Sequence, residues 1–440
     1  MTIEQERKEL RKALQEKNLI PFRNGSEIPD LDLKIHHKRR VHTDYYDYEE
    51  WKIEYTVENQ ESMPIPAGQR ISAYLLIPRQ QGQKAPFPAM LCFHQCNVDC
   101  PLGKESVVGK VSYRPDQAYG LELVAEGFVV LAPDSINCGE RFIPSIRQEG
   151  EGKSCHAVIN DALGRDSWSK HHHDNIGSVD LLCSLQFVDA ERIGAVGHSM
   201  GSGDAQDIIL LDDRVKACIL SGLAPNRFLP LHSPRLHLAL QGALDGPPAK
   251  IEQIKAAYED ARRFYQADGA AENLVLRIHQ CGHHFLDDFK WEAYSRLKQY
   301  FKIDTDKISV PLDRILKAAR EQCSWAWANN EQFPEIKLSQ RPTIIANEMR
   351  LSGAFAALFI YLFAKWPSVP LVLKTQENQS SITIRCILDW PRPQENASAK
   401  VPQENFMRRA QQLFVENGAA MIEEAKSDAM QYTITLPINN

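Results

Sequence analysis

The stretch Ile193–Gly201, IGAVGHSMG, decides the reading of this chain. Within it Gly197-His198-Ser199-Met200-Gly201 fits G-x-S-x-G, a pattern that sets a serine on a sharp turn between a buried strand and a helix. Such a turn forces the serine into a strained backbone, and flanking residues without side chains let strand and helix close around it. The context agrees. Residues 192–196 form a short apolar run, and residues 204–211 can continue as a helix. The same five residues also suit a tight strand-to-helix connection whose serine merely caps the helix.

Outward from this turn, strands and helices alternate. Strands are predicted at 88–93, 128–132, 192–196, 215–220, 236–241 and 274–279, and helices at 119–126, 174–186, 200–211, 251–265 and 286–300. Near-continuous apolar strands separated by helices give an α/β fold, a parallel sheet covered on both faces. In such sheets, chemistry gathers in the loops at the carboxyl ends of the strands. Three of those loops carry Ser199, then Asp245 in Gly242-Ala243-Leu244-Asp245, then His283 in Cys281-Gly282-His283-His284. The order serine, acid, histidine is the one this arrangement uses. A serine hydroxyl becomes a nucleophile when an imidazole takes its proton, and a buried carboxylate holds that imidazole in one tautomer. His283 is the predicted base, with His284 its competitor, and Asp245 is the predicted acid, although aspartate before Gly246 also suits a plain turn.

The negative charge of a tetrahedral intermediate needs two N–H donors. Met200, directly after the nucleophile, supplies one. The loop after residues 88–93, His94-Gln95-Cys96-Asn97, supplies the other through Gln95, with Cys96 as the alternative, and His94 braces this loop. The run His171-His172-His173 is not expected to bind metal, because consecutive residues cannot all face one ion on a helix. No metal and no cofactor are predicted.

Composition narrows the class. The chain has 440 residues, 43% of them hydrophobic, so it can build two or three domains with real cores. A net charge of −6 is small at this length and does not suggest a nucleic-acid partner. Ten cysteines lie without any C-x-x-C pair, and Cys92, Cys183, Cys218 and Cys386 fall in apolar runs, as reduced buried cysteines do. Residues 2–17 are highly charged and unlike a secretory leader, and the apolar stretch 351–364 falls short of the roughly 20 residues a membrane-crossing helix needs. A cytoplasmic protein with no membrane partner is expected.

The chain should open with an amphipathic helix, since Thr2 and Gln5 have capping-box spacing. Residues 24–44 read as irregular, and strands follow at 51–57 and 71–78. This gives an N-terminal arm over 1–50, a catalytic domain over 51–303 and, past a polar boundary, a smaller α+β domain over 308–440. In the last, helices are predicted at 310–328, 350–365 and 405–416, and strands at 371–374, 382–388 and 432–436.

Several separated segments carry a resemblance: FHQCN, LGKESVVGK, AYGLELVAEGFVVLAPDSINCGER, VDLLCSLQFVDAERIGAVGHSMG, DDRVKACILSG and CGHHF. With them, residues from about 50 to 303 resemble the dienelactone hydrolase-like and acetyl xylan esterase-like branch of the α/β-hydrolase superfamily. The resemblance implies hydrolysis of a small carboxylic ester through an acyl-enzyme on Ser199. Ser202 departs from the second glycine of many relatives, and Gln95 from the glycine-rich loop of lipases. The same three residues would also serve a peptidase or thioesterase, and a scaffold that has lost activity is a third reading.

The last domain faintly resembles the ATP-binding domain of sensor histidine kinases, through FMRRAQQLFVENGAAMIEEAKSDAMQYTITLP. That family's metal-binding asparagine would fall near Tyr361, and its D-x-G-x-G at Asp389-Trp390-Pro391-Arg392-Pro393, where proline removes the N–H and freedom of the glycines. A degenerate module is implied, without nucleotide and used in packing, dimerisation or regulation.

Overall fold

The computed structural model describes residues 2–17, 28–42, 47–57, 70–79, 85–96, 102–111, 117–142, 167–303, 308–312, 315–316, 319, 343–346, 348–365, 371–377, 381–389, 407–408, 410–411, 414–415, 419–425 and 429–437. Two compact units divide the chain, one of residues 1–42 with 46–303, the other of 43–45 with 304–440.

The first unit is built on nine strands: β1 Lys34–His42, β2 Asp47–Thr56, β3 Arg70–Pro78, β4 Phe87–Phe93, β5 Val129–Pro133, β6 Val188–His198, β7 Val215–Ser221, β8 Leu236–Gly242 and β9 Leu274–His279. They lie side by side in the order β1-β2-β3-β5-β4-β6-β7-β8-β9. The first three pair antiparallel and β3 meets β5 antiparallel, while β5, β4, β6, β7, β8 and β9 run parallel. Helices join them: α1 Ile3–Lys17, α2 Lys104–Val107, α3 Tyr119–Ala125, α4 Ser167–Ser184, α5 Met200–Leu211, α6 Pro248–Ala267 and α7 Asp287–Tyr300. Along β4, Ala89, Leu91 and Phe93 enter one core and Met90 and Cys92 the other. Alternate side chains thus fill opposite faces, and both faces are covered, which is why the strand reads as a continuous apolar run. One core is closed by Val179 of α4, Ile208 of α5 and Ile254 of α6, the other by Leu123 of α3 and Ala293 and Leu297 of α7.

The capping box forms as the sequence predicts, Thr2 N–H donating to Gln5 Oε1 at 2.9 Å and Gln5 N–H to Thr2 Oγ1 at 3.3 Å. Residues 34–42 correct the irregular reading of 24–44, because they form β1. Their sequence KIHHKRRVH has no apolar alternation, since β1 is an exposed edge strand. Cross-strand charge holds it instead: Arg39 pairs Glu50 at 2.8 Å, Arg40 pairs Asp47 at 2.9 Å and His36 meets Glu54 at 3.1 Å.

A buried ion cluster ties the strand ends. Lys104 and Asp134 are both fully buried and in direct contact, and the Lys104 ammonium also reaches Glu140 Oε2 at 2.9 Å. Asp134 accepts the N–H groups of Lys104 at 2.9 Å and Glu140 at 3.0 Å. Removing one partner of such a pair leaves a buried charge uncompensated, so Lys104→Met should lose about 3–5 kcal/mol in urea unfolding of the full chain. Burial would raise the Glu140 carboxyl, but hydrogen bonds from Lys52, Ser72 and Lys104 and the lysine charge outweigh it and lower the pKa from 4.5 to about 2. A pKa depressed on folding gives stability that is present above the unfolded value and lost as pH falls toward the folded one. The urea midpoint should therefore drop between about pH 4.5 and pH 2, and Glu140→Gln should flatten that slope.

The second unit holds a two-stranded ladder of β10 Ile308–Pro311 with β11 Thr343–Ala346, the helix α8 Glu348–Lys365, and four antiparallel strands. These are β12 Leu371–Glu377, β13 Ser381–Asp389, β14 Ala420–Ala425 and β15 Ala429–Pro437, in the order β12-β13-β15-β14. Phe355 and Phe359 of α8 share a core with Ile384, Tyr432 and Ile434 of the sheet. The helix predicted over 310–328 is corrected at its start, where 308–311 are strand, its β-branched Ile308 and Val310 pairing with Ala346 and Ile344. Residues 320–328 lie outside the described residues, as do Trp390–Pro393 of the nucleotide-loop comparison.

Candidate active site

Ser199 sits between β6 and α5 with φ +57° and ψ −115°. This is left-handed backbone that costs a non-glycine residue energy, so the surroundings must hold it. Its N–H donates to Ser221 O on β7 at 2.8 Å, and its carbonyl accepts Ser202 N–H at 3.1 Å. A Cβ on Gly197 would lie 2.0 Å from Gly201 O, and one on Gly201 would lie 2.2 Å from Phe93 O. The two glycines are thus where strand, helix and the loop after β4 touch. Gly203 has nothing within 4 Å of such a Cβ, while Ser202 is buried, so the departure at 202 leaves the turn intact.

The close approach of Gly201 to Phe93 and His94 sets the first residue of α5, Met200, beside the loop of Gln95 and Cys96. His94 is fully buried. Ser135 N–H donates to its Nε2 at 3.0 Å, so its proton resides on Nδ1 and is donated to Gln95 O at 2.8 Å. Burial, only partly opposed by Asp134, lowers its pKa and keeps it neutral. Through Ser135 the brace leads to the ion cluster at Asp134.

Asp245 and His283 meet. His283 Nδ1 lies 2.9 Å from Asp245 Oδ2, and it is this histidine, not His284, that faces the acid. The loops after β8 and β9 are stitched by backbone bonds, Ala243 N–H to His279 O at 2.7 Å and Leu244 N–H to Cys281 O at 3.0 Å. Gly242 permits this, since a Cβ there would lie 2.2 Å from Gly282 O. Burial opposes the charge on Asp245, but hydrogen bonds from His283 and Gln241 and the field of Lys250 outweigh it and hold the carboxyl below its ordinary value.

Sequence reasoning missed Gln241 and Gly222. Gln241, buried on β8, donates from Nε2 to Asp245 Oδ2 at 3.0 Å while its Oε1 accepts Leu223 N–H at 2.7 Å. Nothing in its apolar surroundings along the strand marks it. Gly222 directly follows β7 with φ +73°, and a Cβ there would sit 2.6 Å from His283 Cε1 and 3.5 Å from Ser199 N. The His283 ring and the Ser199 backbone thus flank one glycine. Gly222→Ala should displace the ring and lower kcat about a hundredfold, measured on an aryl ester beside a circular-dichroism check of folding.

His171 Nδ1 lies 3.7 Å from Asp204 Oδ1 and His172 Nε2 lies 3.1 Å from Asp207 Oδ2, so neighbours in the histidine run meet different carboxylates. Residues 143–166, between Phe142 and α4, lie outside the described residues. Among the described residues, no helix is long and apolar enough to cross a membrane.

A family model described as "Abhydrolase family" matches residues 5–154, a span that ends ahead of Ser199. "Putative hydrolase YtaP" of Bacillus subtilis (strain 168) is 28% identical over 265 residues, which are 53% of this chain and 84% of that protein. A solved "putative acetyl xylan esterase" of Bacteroides fragilis NCTC 9343 is 16% identical with a TM-score of 0.46, covering 63% of this chain and 75% of its own. A solved glucuronoyl esterase of Solibacter usitatus is 12% identical with a TM-score of 0.45, covering 67% and 91%. The mixed sheet and the sharp turn at Ser199 give the first unit an α/β-hydrolase-like fold, and the family match over residues 5–154 is in keeping with that fold.

Proposed function

We propose that the protein is a serine esterase that cleaves a carboxylic ester through an acyl-enzyme, in the dienelactone hydrolase-like manner. The observation that carries the reading is the 2.9 Å contact of His283 Nδ1 with Asp245 Oδ2, at strand ends beside the strained Ser199. The acid fixes the proton on Nδ1, which leaves Nε2 as the base. Ser199 Oγ attacks the ester carbonyl as its proton passes to Nε2, and the oxyanion is met by the N–H groups of Met200 and Gln95. Collapse of the intermediate expels the alcohol, which takes the proton from His283. Water, activated by the same imidazole, then releases the acid and frees Ser199. No cofactor takes part. We place the reaction in the cytoplasm, since the described cysteines are free thiols.

A fluorophosphonate probe tests the reading. One adduct should appear by mass spectrometry on the peptide carrying Ser199, with hydrolysis of p-nitrophenyl acetate lost in parallel. An unlabelled protein, or a label elsewhere, overturns it and leaves the scaffold reading.

A further inference from the structure

Away from Ser199, three soft or borderline donors converge in a place that is closed to water. Cys218 of β7 and His237 of β8 are paired neighbours in the parallel ladder, and His232 ends the turn Leu229–His232 that connects these strands. All three are fully buried. Cys218 Sγ lies 3.2 Å from His237 Nδ1 and 4.0 Å from His232 Nδ1, and the two Nδ1 atoms are 3.0 Å apart. Donors about 2.0–2.3 Å from one ion stand roughly 3.3–4 Å apart, so these separations come within a few tenths of an ångström of a ligand set.

Proton counting separates such a site from an ordinary network. His237 Nε2 lies 2.6 Å from Tyr258 OH of α6, and His232 Nε2 has no hydrogen-bond partner. If His237 keeps its proton on Nε2, its Nδ1 lone pair can accept from His232 or from Cys218; in the first case the thiol proton is left over, and in the second His232 Nδ1–H has only Cys218 Sγ, at 4.0 Å. If His237 carries the proton on Nδ1, His232 must hold its own on the unpartnered Nε2. Every neutral arrangement leaves one buried donor unsatisfied or held only by the weak 4.0 Å contact between His232 Nδ1 and Cys218 Sγ, which costs free energy. A cation at the centre replaces the inward protons and meets all three lone pairs. Tyr258 would then fix the ring of His237 from behind, as outer partners do for metal-bound histidines.

Charge selects the ion. A thiolate with a monovalent ion is neutral, whereas a divalent ion leaves one net positive charge in a dry core. The Arg235 guanidinium nearby already acts on both Cys218 and His232. Thiolate and imidazole donors suit soft copper. We propose that Cys218, His232 and His237 form a buried three-coordinate site for monovalent copper, separate from the hydrolytic residues and independent of the esterase reading.

The test uses the full chain, reduced and stripped of metal, titrated under argon with Cu(I) against a chromophoric chelator. One equivalent should be taken up, with a copper-edge absorption spectrum of one sulfur and two nitrogen neighbours. Cys218→Ser should abolish this uptake, and Tyr258→Phe should weaken it about tenfold or more. Uptake below one equivalent, a spectrum with two or more sulfurs, or displacement of the copper by Zn2+ overturns the proposal. The wild-type spectrum decides even where a variant fails to fold.

Discussion

Ser199→Ala should lower kcat on p-nitrophenyl acetate by about a millionfold, with little change in the unfolding curve. On the proposed mechanism, nucleophile, base and acid act as one unit, so removing the attacking oxygen idles the other two. Residual hydrolysis should reflect only the oxyanion donors and binding, and it should show no burst of nitrophenol. Replacing the side chain by a methyl also leaves the elbow unchanged, because the bonds that hold residue 199, N–H to Ser221 O and carbonyl to Ser202 N–H, belong to the backbone. A variant that kept more than a hundredth of the activity would assign the nucleophile elsewhere.

Asp245→Asn should lower kcat by about ten-thousandfold while KM changes little. The carboxylate can only accept from His283 Nδ1, so the proton stays there and Nε2 is free to take the hydroxyl proton. An amide nitrogen in its place donates to Nδ1 and drives the proton to Nε2, where the base can no longer act. Gln241 donates to the same Oδ2 at 3.0 Å, so an amide nitrogen in that place would also give up this bond. Steady-state kinetics separate this from unfolding, because a tautomer effect lowers kcat without loss of binding.

Much of this arrangement is legible in the chain because its signals are local. β4, β5, the second half of β6, β7 and β8 are buried almost throughout and written largely as apolar runs, and the elbow is written in glycine spacing. The order of Ser199, Asp245 and His283 along the chain is likewise open to reading. What escapes is set by contacts between distant residues. β1 is held by charge pairing with its neighbour, so no apolar period announces it. Lys104 is fully buried because Asp134 and Glu140 receive it from another loop, whereas a lysine between Gly103 and Glu105 reads as solvated. β14, with Glu423 and Glu424 in sequence and Ile422 exposed, carries too mixed a pattern for strand periodicity to show.

Ser199 and the loop of Gln95 hang from β6 and β4, while His283 and Asp245 hang from β9 and β8. β7 stands between these two halves. Its Ser221 holds the nucleophile's amide, and the glycine after it makes room for the ring. On the proposed mechanism, the gap between Ser199 and His283 is set by a strand that contributes no reacting atom. Activity can be tuned, up or down, by changes at β7 that leave every chemical participant in place.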